Sequence, residues 1–263
     1  MYHSREVLSA WWARYWQPLA GMFVFLCMWH VGSILYGPLI LPSPSETMTA
    51  LWRLAMEGVV LPAAARTAGR ALGGFLIAGV VGSGLGVLAG LCPWLARALG
   101  PVVTMLLGVP PIAWIVLALL WFGTGALTPV FTVVVTTLPI TFAVAVEGAR
   151  TRDTGLEAMA RSFNTPSTML LWDVHLPHIL SYLFPGWVTA LGLAWKVAVM
   201  AELLASTDGI GANMAMARVN LDTADAMAWI VVVVGMLLFV EYGMLEPLQR
   251  RMEPWRNRSR LSV

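Results

Sequence analysis

Two ionisable residues, Lys196 and Glu202, sit six positions apart inside the apolar run from Ile179 to Leu204. At membrane depth such groups face a bundle interior or an aqueous cavity, because exposing them to lipid is costly. An ammonium there can favour an anionic group on a passage through the membrane, and the Glu202 carboxylate can order the outer loop that begins at Ser206. Trp114 offers the same passage an aromatic surface with one donor. Six residues separate the two charges by about 120° around a helix, so each needs a partner elsewhere. A structural ion pair, with Glu241 or a group on another helix, is the alternative reading for both.

Other chemistry is missing. No G-x-x-x-x-G-K-[ST] run occurs and the one lysine, Lys196, lies in an apolar segment, so the chain cannot build a P-loop and any use of ATP, with its Mg, must come through a partner. His175 and His178 read as surface or interfacial residues, Cys27 and Cys92 as packing residues, and no cluster has metal spacing. No nucleophile elbow is present, which removes a membrane hydrolase. A net charge of +2 with scattered arginines gives no footprint for nucleic acid.

The elements that must position these residues are membrane spans. The chain is 59% hydrophobic with a mean hydropathy of +0.76 over 263 residues, well beyond a soluble domain. Runs of about 20 apolar residues fall at Pro18–Tyr36, Ala68–Leu91, Val102–Phe122, Thr128–Val146, Ile179–Leu204 and Ala224–Tyr242. Six spans put both termini on one side, together with Arg5, Arg14, Arg97, Arg150, Arg152, Arg161 and the tail arginines; Arg53, Arg66, Arg70 and Arg218 are left on the other. The positive-inside rule makes the richer side cytoplasmic. The expected division is a cytoplasmic segment 1–17, a six-span domain 18–246 with a loop at about 147–178, and a cytoplasmic basic tail 247–263. No secretory signal pattern opens the sequence, so the N-terminal segment is expected to stay on.

Three local patterns refine this outline. Ser43, Pro44 and Glu46 fit an N-cap, first-turn proline and capping-box acid, which starts a short helix on the outer face. Gly69 and Gly73, and then Gly82, Gly86 and Gly90, repeat at four-residue spacing within each run, the pattern that lets helices approach closely in lipid. Pro110 and Pro111 fall early in the third span, where a kink lining a cavity and plain bundle packing are equally compatible with the sequence.

The loop from Thr151 to Pro177 is polar in an oily chain. Gly155 to Phe163 reads as an amphipathic helix with Leu156, Met159, Ala160 and Phe163 on one face and Glu157 and Arg161 at i, i+4. Asn164 suits its C-terminal cap and Pro166 stops it. So short a helix is marginal in water, so its apolar face needs a cover: the protein's own rim, lipid headgroups or another protein.

At Asn164, Val174, Leu176 and Pro177 the spacing resembles the EAA loop of ABC-importer permeases of the binding-protein-dependent type. "LPSPSETMTAL", "VPPIAWIVLALLWFGTG", "GLAWKVAVMAEL" and "GIGANMAMARVNLDTADAMAWI" follow in the order of the branch that imports nitrate, taurine and alkanesulfonates, so the likeness covers Leu41 to about Glu246. It implies an all-α bacterial inner-membrane protein of six spans, with a short cytoplasmic coupling helix between the fourth and fifth seated in a separate ATPase subunit. It further implies a permease homodimer, two ATPase copies and a periplasmic or lipid-anchored solute-binding protein. The coupling residues carried over are Leu156, Glu157, Ala158, Met159, Ala160, Phe163, Asn164, Leu176 and Pro177. Ala158, Met159 and Ala160 occupy the EAA positions, so Glu157 falls one residue early, and Asn164 stands where the family has glycine. One residue turns a helical side chain by about 100°. The reading of a different class is an ion-coupled carrier or channel driven through Lys196 and Glu202, for which no inverted repeat is visible in the sequence.

Overall fold

The computed structural model describes residues 3–151, 154–163 and 165–245, and their regular structure is helical throughout. The basic tail 247–263 lies outside the described residues. Among the described residues five helices are long and apolar enough to cross a membrane, and a bent pair makes six if its two halves count as one span.

Helix α1 (His3–Tyr36) runs through the expected boundary at residue 17 and packs little against the rest of its own chain. Helix α2 (Pro44–Met56) is short and starts as its sequence dictates. The Ser43 hydroxyl accepts from the Glu46 N–H at 3.2 Å, and the Ser43 N–H donates to the Glu46 carboxylate at 2.7 Å, so two orphan donors are satisfied. That backbone hydrogen bond holds the Glu46 carboxyl below the ordinary carboxylate range.

Helix α3 (Val60–Leu91) begins eight residues earlier than Ala68, which brings Arg66 and Arg70 inside the helix. It packs along its length on α6 (Leu127–Arg150). The seam is a stripe of small residues in a register that corrects the sequence reading at one end. Gly69 and Gly73 face open space, whereas Gly74, Ala78, Gly82, Gly86 and Gly90 keep a four-residue spacing against α6. A Cβ at Gly74 would lie 2.6 Å from the Val133 side chain, and one at Gly86 would lie 2.5 Å from the Phe142 carbonyl. Thr141 donates to the Ala78 carbonyl at 2.9 Å across this seam. Gly86→Val is therefore expected to destabilise the protein by about 1–3 kcal/mol through overpacking, with Gly69→Ala within experimental error of the parent. Thermal unfolding in detergent checks both.

The third span is not one helix. Helices α4 (Pro93–Gly108) and α5 (Pro111–Phe122) meet at 97°, so the expected run Val102–Phe122 is broken at Pro110 and Pro111. The tandem prolines remove consecutive N–H donors, and Pro111 instead takes the first turn of a new helix, where its missing donor is harmless.

Helix α7 (Thr154–Ser162) and the single turn α8 (Ser167–Leu170) form the polar loop. A π-helical turn, Leu171–His175, then leads into α9 (Leu176–Ala205). Together Thr168–Ala205 is the most buried of the candidate spans, at 56%. It packs on α3 and α6, where Gly186 meets Val144 and the Trp187 indole donates to the Ser83 hydroxyl at 2.9 Å. Helix α10 (Ile210–Val219) returns over the C-terminal end of α9 and packs on α3. The last span, α11 (Thr223–Leu238), opens on an Asp222 cap and ends in a second π-helical turn, Phe239–Leu245. Arg53 reaches Asp225 and Asp222, which clamps α2 onto the start of α11 above a cluster that includes Leu54, Ile210 and Trp229.

Candidate functional site

Two regions carry the residues singled out in the sequence, at opposite ends of α9. At the end that begins with His175, the α6 terminus is closed by Thr151, whose N–H and hydroxyl both donate to the Glu147 carbonyl, at 3.0 and 2.8 Å. The hydroxyl also lies 3.4 Å from His178 Nε2 on α9. Helix α7 follows within one residue of its expected bounds. Its end is closed by a bond from the Thr165 N–H to the Ala160 carbonyl at 3.1 Å, a six-to-one closure of the Schellman kind. Asn164 and the side chain of Leu156 lie outside the described residues.

Met159 is 59% exposed and Phe163 74% exposed, so this part of the apolar face of α7 is not covered by the described residues. Ala158 is exposed as well, Ala160 is half-buried, and Leu176 and Pro177 form the first turn of α9. Met169, Leu171 and Trp172, which the sequence reading passed over, are also exposed. Their signal was four apolar residues from Met169 to Trp172 in an otherwise polar loop. Glu157 faces inward: its Oε1 lies 3.5 Å from His175 Nε2, and both side chains are largely buried.

At the other end Glu202 is completely buried. Its carboxylate accepts from Thr67 Oγ1 at 2.7 Å, from the Arg70 guanidinium at 2.7 Å and from the Gly211 N–H at 3.2 Å. Arg70 donates onward to the Asp208 carbonyl at 2.7 Å and to its carboxylate, while Arg66 Nε lies 3.4 Å from the same carboxylate. The Arg70 hydrogen bond holds the Asp208 carboxyl below the ordinary carboxylate range. Thr67 completes the cluster by accepting from the Ile210 N–H at 3.0 Å. The loop between α9 and α10 is thus wrapped on buried charge, and Gly209 permits it: its φ of 105° suits glycine alone, and a Cβ would run into the Glu202 carboxylate. The partner of Glu202 is Arg70, not Glu241.

The fold does not gather Lys196 and Glu202 into one group. Lys196 is exposed on a face of α9 shared with Thr189 and Met200, away from the buried carboxylate. Trp114 is half-buried on α5, with an indole N–H that is enclosed and lacks a hydrogen-bond partner within the chain. Its neighbour Ile115 packs on Ala201 and Ala205 of α9. Among the described residues no cluster of histidine, cysteine or carboxylate has the geometry of a metal site.

Residues 82–253 match a family model described as binding-protein-dependent transport system inner membrane component. The chain is 36% identical over 217 residues, covering 82% of each protein, to SsuC of Escherichia coli strain K12, whose name assigns it to aliphatic sulfonates transport as a permease. It is 29% identical over 233 residues to the taurine transport system permease protein TauC of the same strain, covering 86% of this chain and 84% of that one. Among solved structures, a chain of the MetNI methionine ABC transporter in an inward-facing conformation superposes with a TM-score of 0.64, over 75% of this chain and 98% of that chain. At 15% identity this last likeness concerns the fold.

Proposed function

This chain belongs to the family of binding-protein-dependent transport system inner membrane components, and from that premise we propose that it carries a small anion of the sulfonate or taurine kind along a path lined by Lys196. It is the permease subunit of an ABC importer; a separate subunit hydrolyses ATP and a binding protein delivers the solute. Six spans with both termini cytoplasmic, a permease homodimer and two ATPase copies complete the assembly we infer. ATP with its Mg is bound by the ATPase, and no cofactor is bound by this chain. Met159, Ala160 and Phe163 on α7 seat in the ATPase, so that closure of the nucleotide-bound ATPases moves the helix and switches access across the membrane. The permease does no chemistry of its own; it is a two-state element that the partner biases.

The observation that carries the choice of solute is the position of Lys196. Helix α9 is the most buried candidate span, yet one exposed face carries the chain's one lysine nine residues below its outer end. That is roughly 14 Å along the axis, a depth at which an ammonium in contact with lipid is strongly disfavoured. A second copy or a water-filled path must cover that face, and the positive charge selects an anion within it. Removing one charged contact weakens binding by about 1.5–3 kcal/mol, so Lys196→Gln is expected to lower uptake tenfold or more at limiting substrate. The test is ATP-driven uptake of labelled taurine or an alkanesulfonate by liposomes holding permease, ATPase and binding protein. Unchanged uptake at normal membrane levels would remove Lys196 from the pathway, and uptake driven by an ion gradient without the ATPase would remove the importer assignment.

A further inference from the structure

We propose that His175, through its contact with Glu157, is the positioning residue that passes movement of α7 into α9. The proposal rests on the reading that α7 seats in the ATPase. Three features of the chain place the contact on the line of force.

Helix α7 has nine residues and follows the end of α6 after only three more, 151–153. A second link runs through side chains: those of Glu157 and His175 are 20% and 13% exposed, and Glu157 Oε1 lies 3.5 Å from His175 Nε2. With the imidazole protonated this is an ion pair screened less than a surface pair.

His175 also ends the π-helical turn Leu171–His175, where the Leu176 N–H bonds back to the Leu171 carbonyl. A π-helical turn carries one extra residue per turn and recurs at functional positions. It is a joint directly below α9, and the contact meets α9 at its root.

Above that joint α9 runs unbroken to Ala205, through Pro185. From His175 to Glu202 is 27 residues, roughly 40 Å of helix. The far end is fastened by Glu202 to Thr67, Arg70 and the N-terminus of α10. A push on His175 therefore arrives at the foot of a stiff rod whose head holds the outer loop. In this arrangement Glu157, one residue earlier than the family's acid, works within its own chain.

The experiment follows the head of the rod. Permease with Cys27→Ser and Cys92→Ser, carrying a nitroxide at Leu204→Cys, is assembled with its ATPase in nanodiscs. The spacing between labels on the two copies is measured by double electron–electron resonance before and after trapping with ATP and vanadate. The parent is expected to change spacing on trapping. His175→Ala is expected to assemble and hydrolyse ATP at the basal rate while losing more than half of that change. His175→Lys, which keeps a cation opposite Glu157, is expected to retain it. A full change in His175→Ala, or a loss in His175→Lys equal to that in His175→Ala, overturns the proposal while leaving the importer reading intact. A parent whose labels do not respond to trapping also overturns the proposal, because the head of α9 then does not move; the importer reading stands or falls separately on ATP-driven uptake.

Discussion

Arg70→Ala is expected to cost the folded permease about 3–5 kcal/mol, the usual penalty for stranding one member of a buried ion pair. The Glu202 side chain it faces has no exposed surface and the Arg70 side chain only 9%, so water cannot take over the lost donor. Glu202→Ala should be damaging too, because Arg70 keeps only Asp208 as its partner while the Thr67 hydroxyl and the Gly211 N–H lose the carboxylate together. Replacing both charges at once, Arg70→Met with Glu202→Leu, should recover part of the stability, since an apolar pair of similar volume removes the desolvation penalty along with the attraction, while the Gly211 N–H and Asp208 still lack these partners. Unfolding of purified protein in detergent against a denaturant series measures the three. A single variant within 1 kcal/mol of the parent would mean that the cluster is not closed to water.

Met159→Asp is expected to abolish ATP-driven transport and to weaken association with the ATPase by at least a hundredfold. Met159 is 59% exposed on α7, so the helix gains little from it within its own chain. Seating that side chain in a groove is worth about 1.5–3 kcal/mol. Forcing a carboxylate into the same apolar groove adds a desolvation penalty on top of that lost gain. A difference of about 3 kcal/mol already corresponds to more than a hundredfold in affinity. Titration of the ATPase onto immobilised permease reads the change, and an unaltered elution volume and helical spectrum show that the permease itself is intact. Undiminished assembly and uptake would mean that α7 docks through another face.

Much of this architecture could be read from the chain because the signals were local. Ser43, Pro44 and Glu46 announce a helix start within four residues, and the capping box forms as written. The limits of α7 follow from its own periodicity and Pro166. The family could be read from segments that recur in order, and the matches to sulfonate and taurine permeases agree with it. What escaped was tertiary. Arg70 lies 132 residues before Glu202, and nothing near either names the other. The charge count places it beside a span, whereas it lies inside α3, four residues after Arg66. The glycine pattern was sound in period but offered two registers, and only contact with Val133 selects Gly74 over Gly73. The two prolines signalled a disturbance, but an angle of 97° depends on what packs on either side of the break.

The distance along the chain between Arg70 and Glu202 also sets an order of events during synthesis. When α3 leaves the ribosome its arginine has no carboxylate to meet, and 132 more residues must be translated before one exists. At ordinary elongation rates that is a wait of roughly 7–26 s. Arg70 sits only ten residues from the start of α3, near enough for its guanidinium to stay in water in the meantime. Glu202 then arrives at the matching end of α9, and the cluster closes only when that helix has been threaded across. The permease is thus inserted with a buried-charge cluster still incomplete, and the loop between α9 and α10 can set only once α9 is in place.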